Sequence, residues 1–354
     1  MIGGVNIIEL NDSLNRVINI YEPETDYPQV VTFLSIASGP DGTIWLGSYG
    51  NGLFSTSDNE NKERIIIEPS PVNSLVPEMM IWDILCIQNG ETWLATDKNG
   101  VIRTKNGKIL SEFNTGSGLQ SNQILGINED KDGFIWFASF GQGAMIYAGE
   151  KMISYDQEDG LQGLQVLDIH SMPGNILYVA TEEGLLKFRI NGERLEKLQY
   201  FNEANGLNAP GSNAIEQSDD GRLWIGTTNG INILKGSALT QFDGNRSLGN
   251  KNVNCLKIAG NNDVWVGTIG GYARIFDDNL FFMDQEDGLV NDEIQTIIED
   301  SKNRIWLGTL GGIVKIEGTT YTDYNSEDGL TTLKVNALVE NPLGNILIGT
   351  SGGG

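Results

Sequence analysis

Apolar residues in this chain alternate over short runs and then break at glycine. In residues 304–313, Ile305 and Leu307 alternate with Trp306 and Gly308 ahead of the pair Gly311-Gly312. A period of two predicts a strand packed on both faces, and the glycines supply the positive φ of a tight turn into the next strand. The run recurs at residues 41–48, 91–96, 132–139, 176–181, 220–227, 263–268 and 345–350. Its central position is Trp45, Trp93, Trp136, Tyr178, Trp224, Trp265, Trp306 and Leu347, a step of 41 to 48 residues. Self-similarity at that period predicts a repeat protein.

Each repeat reads as four short strands. In the third, residues 123–129 form a first strand and a polar turn at 130–133 leads into the Trp136 strand. Residues 144–147 and 152–155 supply the third and fourth, and 156–161 connect to the next repeat. An aromatic usually ends the fourth strand: Phe113, Tyr155, Phe201, Phe242, Phe282 and Tyr324. Apolar residues at helical spacing are absent. Four strands in about 42 residues, repeated radially, predict an all-β fold, a single β-propeller.

Residues 3–8 match the third strand at 311–316, and 16–21 follow as a fourth. At the other end 335–339 is a first strand and 345–350 a second, with Gly353 in register with Gly4. The expectation is one domain over 1–354 with eight blades, the eighth shared between 1–25 and 331–354. A ring closed by strands from both termini leaves no free sheet edge. The alternative is seven closing blades and a spare repeat.

Candidate chemistry follows from this frame. First strands should line the channel through Ser35, Asp83, Gly126, Asp168, Ala214, Cys255, Thr296 and Ala337. The residues before these include Trp82 and the amides Asn213, Asn254, Gln295 and Asn336. Loops after the second strands present Tyr49, Asp97, Phe140, Gln142, Glu182 and Asn229. Aromatics beside amides and carboxylates suit a sugar, stacking on its apolar face and bonding its hydroxyls. The candidate ligand residues are therefore Tyr49, Trp82, Asp83, Asp97, Phe140, Gln142, Asp168, Glu182, Asn213 and Asn229; solvated loops free to vary are the plainer account of the same pattern.

The motif of Asn-x-Val/Ile, Glu-Asp-x-x-Gly-x-Ile-Trp-x-Gly-Thr, Gly-Gly-Ile and Gly-Leu, clearest at 122–143, 220–231 and 292–313, resembles the two-component regulator propeller repeat. That resemblance implies an extracytoplasmic sensor of the kind found in hybrid histidine kinases, directed to carbohydrate, with a kinase or further sensor domains outside this chain. Such sensors usually pair two seven-bladed propellers ahead of a membrane helix and kinase, a pattern from which this chain departs. The repeat is structural and transfers no catalytic residue.

Charge narrows the partners. The chain has 47 acidic and 23 basic side chains, a net −24, which argues against nucleic acid and anionic membrane. No apolar run is long enough to span a membrane, and the first residues lack the basic and apolar regions of a signal peptide. No cofactor is expected and no metal site. Asp156–Gly160 and Asp284–Gly288 have glycine one place early for an EF-hand and read better as polar turns. The single histidine, His170, aligns with Ala37, Leu85, Asn128, Glu216 and Lys257, an exposed and variable position. The reading is a non-catalytic recognition module for a small molecule or oligosaccharide. A lyase or hydrolase, which would have to use Asp83 and Asp168, and a protein-docking scaffold are the alternatives. Two aspartates facing water give no reason for the separated pKa values an acid–base pair needs.

Overall fold

The computed structural model describes residues 5–10, 15–20, 31–57 and 66–351, apart from 77, 131–132, 148, 150–151, 192–193, 331 and 342–343. Gly4 and Gly353, which set the expected register, lie outside them. The described residues are strands and turns, with no α-helix and six short 3-10 turns. They form eight four-stranded antiparallel sheets, seven from contiguous stretches and one from both chain ends. The fold is the β-propeller that the repeat predicts.

Two compact units divide the chain, Met1–Glu112 with Gln295–Gly354, and Phe113–Ile294. The chain opens with β1 (Val5–Leu10) and β2 (Asn15–Ile20). Then β3 (Phe33–Ser38), β4 (Ile44–Ser48), β5 (Leu53–Ser57) and β6 (Ile66–Pro69) make one blade. The next comprises β7 (Ile81–Cys86), β8 (Thr92–Thr96), β9 (Val101–Lys105) and β10 (Lys108–Phe113). The second unit carries β11 (Ile124–Glu129), β12 (Ile135–Ser139), β13 (Ala144–Tyr147) and β14 (Met152–Tyr155). Its second blade is β15 (Val166–Met172), β16 (Ile176–Thr181), β17 (Gly184–Asn191) and β18 (Arg194–Phe201). Then come β19 (Ser212–Gln217), β20 (Leu223–Thr227), β21 (Gly230–Lys235) and β22 (Ala238–Gln241). Its last is β23 (Val253–Ile258), β24 (Val264–Thr268), β25 (Gly271–Phe276) and β26 (Asn279–Met283). Strand β27 (Ile294–Glu299) starts on the last residue of the second unit, and β28 (Ile305–Thr309), β29 (Gly312–Glu317) and β30 (Thr320–Tyr324) follow in the first. Strands β31 (Val335–Glu340) and β32 (Ile346–Thr350) end the chain. The composite sheet has the order β2-β1-β32-β31, with Val5 opposite Gly349 and Ile8 opposite Ile346.

The repeated residues now have physical roles. The second strands are buried on both faces, and several of their central aromatic residues are held within their own blade. In β12, Trp136 Nε1 donates to Asp130 Oδ2 at 2.8 Å, and in β28 Trp306 Nε1 donates to Asp300 Oδ2 at 2.7 Å. Arginines lie over the indoles of Trp93, Trp224, Trp265 and Trp306 at 5.1–5.7 Å. At Tyr178 the cation is Lys187, 5.5 Å from the ring centroid. The hydroxyl that ends each complete second strand closes the following turn. Thr309 Oγ1 donates to Gly312 O at 2.9 Å, as Thr268 does to Gly271 O and Thr227 to Gly230 O. Gly312 holds φ at 129°, where a side chain is strained.

The Gly of Trp-x-Gly-Thr serves the joint to the next blade. A Cβ on Gly308 would stand 2.7 Å from both Thr296 Cγ2 and Val335 Cγ1, so β28 admits the first residue of β31 only without a side chain. The same relation puts Gly226 against Val253. Gly308→Val should therefore cost about 2–3 kcal/mol through overpacking, measured by urea unfolding. An unchanged midpoint would show that the joint yields.

Candidate functional site

The first strands carry a repeated irregularity. In β3, β7, β11, β15, β19, β23 and β31 the register against the second strand slips by one residue. The residue left out is Leu34, Trp82, Leu125, Leu167, Asn213, Asn254 or Asn336, the position read as preceding the channel residues. A bulge turns its extra side chain away from the ladder. Where that residue is asparagine, the amide reaches the following blade. Asn213 Nδ2 donates to Val253 O at 2.9 Å, Asn254 Nδ2 to Ile294 O at 3.0 Å, and Asn336 Nδ2 to Phe33 O at 2.8 Å. The amide-rich pattern is thus first a set of blade-to-blade ties.

In the second unit, β11, β15, β19 and β23 line an open cavity of about 330 Å³. Its polar lining is Asn128, Asp168, His170, Asn213, Glu216 and Asn254. Asp168 bridges two blades: Oδ1 accepts from Ile169 N and Oδ2 from Ile215 N of β19, each at 2.8 Å. Burial pushes its carboxyl up to about 7 against the pull of those two N–H groups, and Glu216, of like charge, pushes the same way. The sequence offered no reason for an aspartate facing water to be shifted; at Asp168 the fold supplies one, its burial. Burial also raises Glu216, opposed by Lys257. Cys255, pushed up to about 12 by burial, and Cys86, pushed up to about 11, are free thiols and poor nucleophiles.

The other candidates take several roles. In the first unit Trp82 Nε1 donates to Asp97 Oδ1 at 3.4 Å, and Asp83 Oδ1 accepts from Ile84 N at 2.8 Å. Tyr49 stands 57% exposed after β4. In the second unit Phe140 is 50% exposed and Gln142 is exposed beside it. Glu182 is a loop clamp, accepting from Leu164 N and Gln165 N at 3.1 and 2.9 Å. Asn229 Nδ2 donates to Asn208 O at 3.0 Å. The cavity therefore gathers Asp168 and Asn213 of the expected set, while Phe140, Gln142, Glu182 and Asn229 sit on turns after second strands. His170, Glu216 and Asn128 were missed: their shared position, two beyond Asp168 in register, looked exposed, yet all three line the cavity, His170 and Glu216 half-buried and Asn128 exposed. The only signal was that this position is polar in the third to sixth repeats, at Asn128, His170, Glu216 and Lys257. Among the described residues no group of three His, Cys, Asp or Glu is placed to hold a metal. Asp284 proves to cap a 3-10 turn that ends on Gly288 at φ 105°, a polar turn as expected.

Residues 118–141, 206–229 and 288–311 match the model of the family described as two component regulator propeller. The chain carries two component regulator propeller repeats. Comparison with curated proteins gives no match. Among solved structures, the chain is similar to the extracellular domain of the hybrid two component system BT3049 from B. thetaiotaomicron, with TM-score 0.65 and 17% identity. That alignment covers 99% of this chain and 58% of the other. A second such domain, BT4673 from the same organism, aligns with TM-score 0.59 and 19% identity, over 94% of this chain and 55% of that one. The chain thus spans little more than half the length of these domains. A streptogramin B lyase aligns with TM-score 0.60 and 18% identity, covering 85% of this chain and 96% of its own. At such identities the likeness is one of fold, and the regulator propeller repeats are what separate this chain from propellers at large. No helix among the described residues is long and apolar enough to cross a membrane.

Proposed function

We propose that this chain is a non-catalytic, extracytoplasmic recognition segment of a two-component sensor, binding a small molecule or oligosaccharide whose occupancy is passed to a kinase elsewhere. The regulator propeller repeat in three places carries the reading. The cavity in the second unit supports it, being of a size at the lower end of small-ligand sites. Phe140, with Gln142 beside it, supplies a stacking face and an amide on the loop side of the same unit. In the first unit Tyr49, Trp82, Asp83 and Asp97 are proposed contacts of the same kind.

A second reading has a specific observation behind it. His170 shares the cavity with Asp168 and Glu216, and the fold is also that of a lyase. A histidine beside a carboxyl that holds its proton to about pH 7 is a workable acid–base set. One experiment separates the two: a glycan array followed by calorimetry, with mass spectrometry of every bound compound after incubation. The expected result is binding without product, weakened about fivefold by Phe140→Ala through loss of roughly 1 kcal/mol of stacking. Product that disappears in His170→Ala would replace the sensor with the lyase.

A further inference from the structure

The cavity is asymmetric in its hydrogen-bonding capacity. Asn213 and Asn254 spend amide N–H groups on Val253 O and Ile294 O, and no described residue donates to their Oδ1 atoms. Asp168 and Glu216 add two carboxyl groups to the same wall. Lys257 acts as a cation on Glu216. Asp168 has backbone N–H partners and, as its charged neighbour, Glu216 of the same sign. Acceptors and ionisable carboxyl groups are thus in excess, and a ligand that brings donors and one positive charge would balance them as Asp168 gives up its proton.

We propose that this cavity is a site for an amino sugar, a polyol with a protonated amine, the ammonium group lying between Asp168 and Glu216 and the hydroxyls donating to Asn213 and Asn254. The assignment rests on the recognition reading and names the ligand class for it. A volume of about 330 Å³ admits one sugar ring. Charge-assisted hydrogen bonds from ammonium to carboxylate are the strong kind and discriminate against a neutral ring of the same shape. The net charge of −24 favours approach of a cation over an anion.

The proposal has a readout that does not depend on any variant folding. Without ligand, burial holds a proton on Asp168 up to about pH 7. An ammonium beside it favours the charged form, so binding at pH 6 must expel that proton. His170 and Glu216 line the same space, Lys257 acts on Glu216, and the three set the background against which the release is counted. The experiment is calorimetry of the full chain with glucosamine, glucose and N-acetylglucosamine at pH 6, in two buffers of different ionisation enthalpy. Glucosamine should bind about tenfold or more tighter than either neutral sugar. It should release close to one proton, and the neutral sugars none. Glu216→Gln should erase most of the preference, and Asp168→Asn both the preference and the release. Equal affinity for all three sugars without proton release would overturn the amine assignment and leave the recognition reading standing. Binding of none of the three would overturn the assignment outright, while a hit elsewhere on the glycan array would still support the sensor. Should Asp168→Asn fail to fold, the proton count on the wild-type chain and the Glu216→Gln preference decide the matter.

Discussion

Replacing Asp300 with alanine should remove about 3–5 kcal/mol of stability, the cost of stranding one partner of a buried ion pair. The Asp300 side chain is fully buried and that of Arg304 is 8% exposed. Asp300 Oδ2 accepts from Arg304 Nε at 2.6 Å and from Trp306 Nε1 at 2.7 Å, while Oδ1 accepts from Lys302 N and Arg304 N, each at 2.9 Å. Alanine would orphan an indole N–H, two backbone N–H groups and a guanidinium at once. The fifth repeat points to the control. There Ser218 Oγ takes the Trp224 indole at 3.2 Å, and Arg222 pairs instead with Asp220 and Asp278 nearer the surface. Asp300→Ser alone should satisfy the indole yet leave Arg304 buried without its anion, and so stay strongly destabilised. Adding Arg304→Leu should recover much of the loss. Urea unfolding of the three variants checks the order. If Asp300→Ala unfolds at the wild-type midpoint, the cluster does not hold the blade.

Removing residues 1–20 should be nearly as damaging by a different route. Strand β1 covers β32 from Val5 opposite Gly349 to Ile8 opposite Ile346. Without it β32 becomes a bare edge whose Ile346, Leu347 and Ile348 are now fully buried. The ladder lost over four paired positions is worth about 4 kcal/mol at roughly 1 kcal/mol per hydrogen bond. The exposed edge should also template pairing with another copy. The shortened chain should therefore unfold at lower urea and elute as larger species in size-exclusion chromatography with light scattering. A chain that keeps the elution and midpoint of the full-length protein would refute this.

Much of the fold is legible in one sequence because propeller blades repeat their constraints. The two-residue alternation around Trp306, the turn glycines and the aromatic that ends each fourth strand recur often enough to mark strand order without any contact information. The composite sheet could be read for the same reason: residues 3–8 and 345–350 are each recognisable as parts of a blade. The site is harder to read, since nothing repeats there. Asparagine at 213, 254 and 336 looked like a polar lining, because sequence does not reveal that a bulge turns these side chains toward the next blade. Asp168 looked like a solvated carboxylate because its burial depends on β19, which lies 40 residues and more along the chain, and whose Ile215 N it meets. His170 and Glu216 occupy a register position that is alanine or leucine in the first two repeats, so a position-by-position average hides them.

The tie from Asn336 to Phe33 has the same chemistry as the tie from Asn213 to Val253, yet it joins residues 303 positions apart rather than 40. The joint is head-to-tail: the donor side of one blade meets the acceptor side of another, and the two sides differ. Contacts of that kind carry no record of the order in which the chain was made. What the asparagine reads is the carbonyl that opens the next first strand, whichever peptide provides it. Neighbour choice in this family of surfaces is therefore a property of the joint and not of covalent succession, so a blade duplicated, lost or moved along the gene would still find a fitting neighbour.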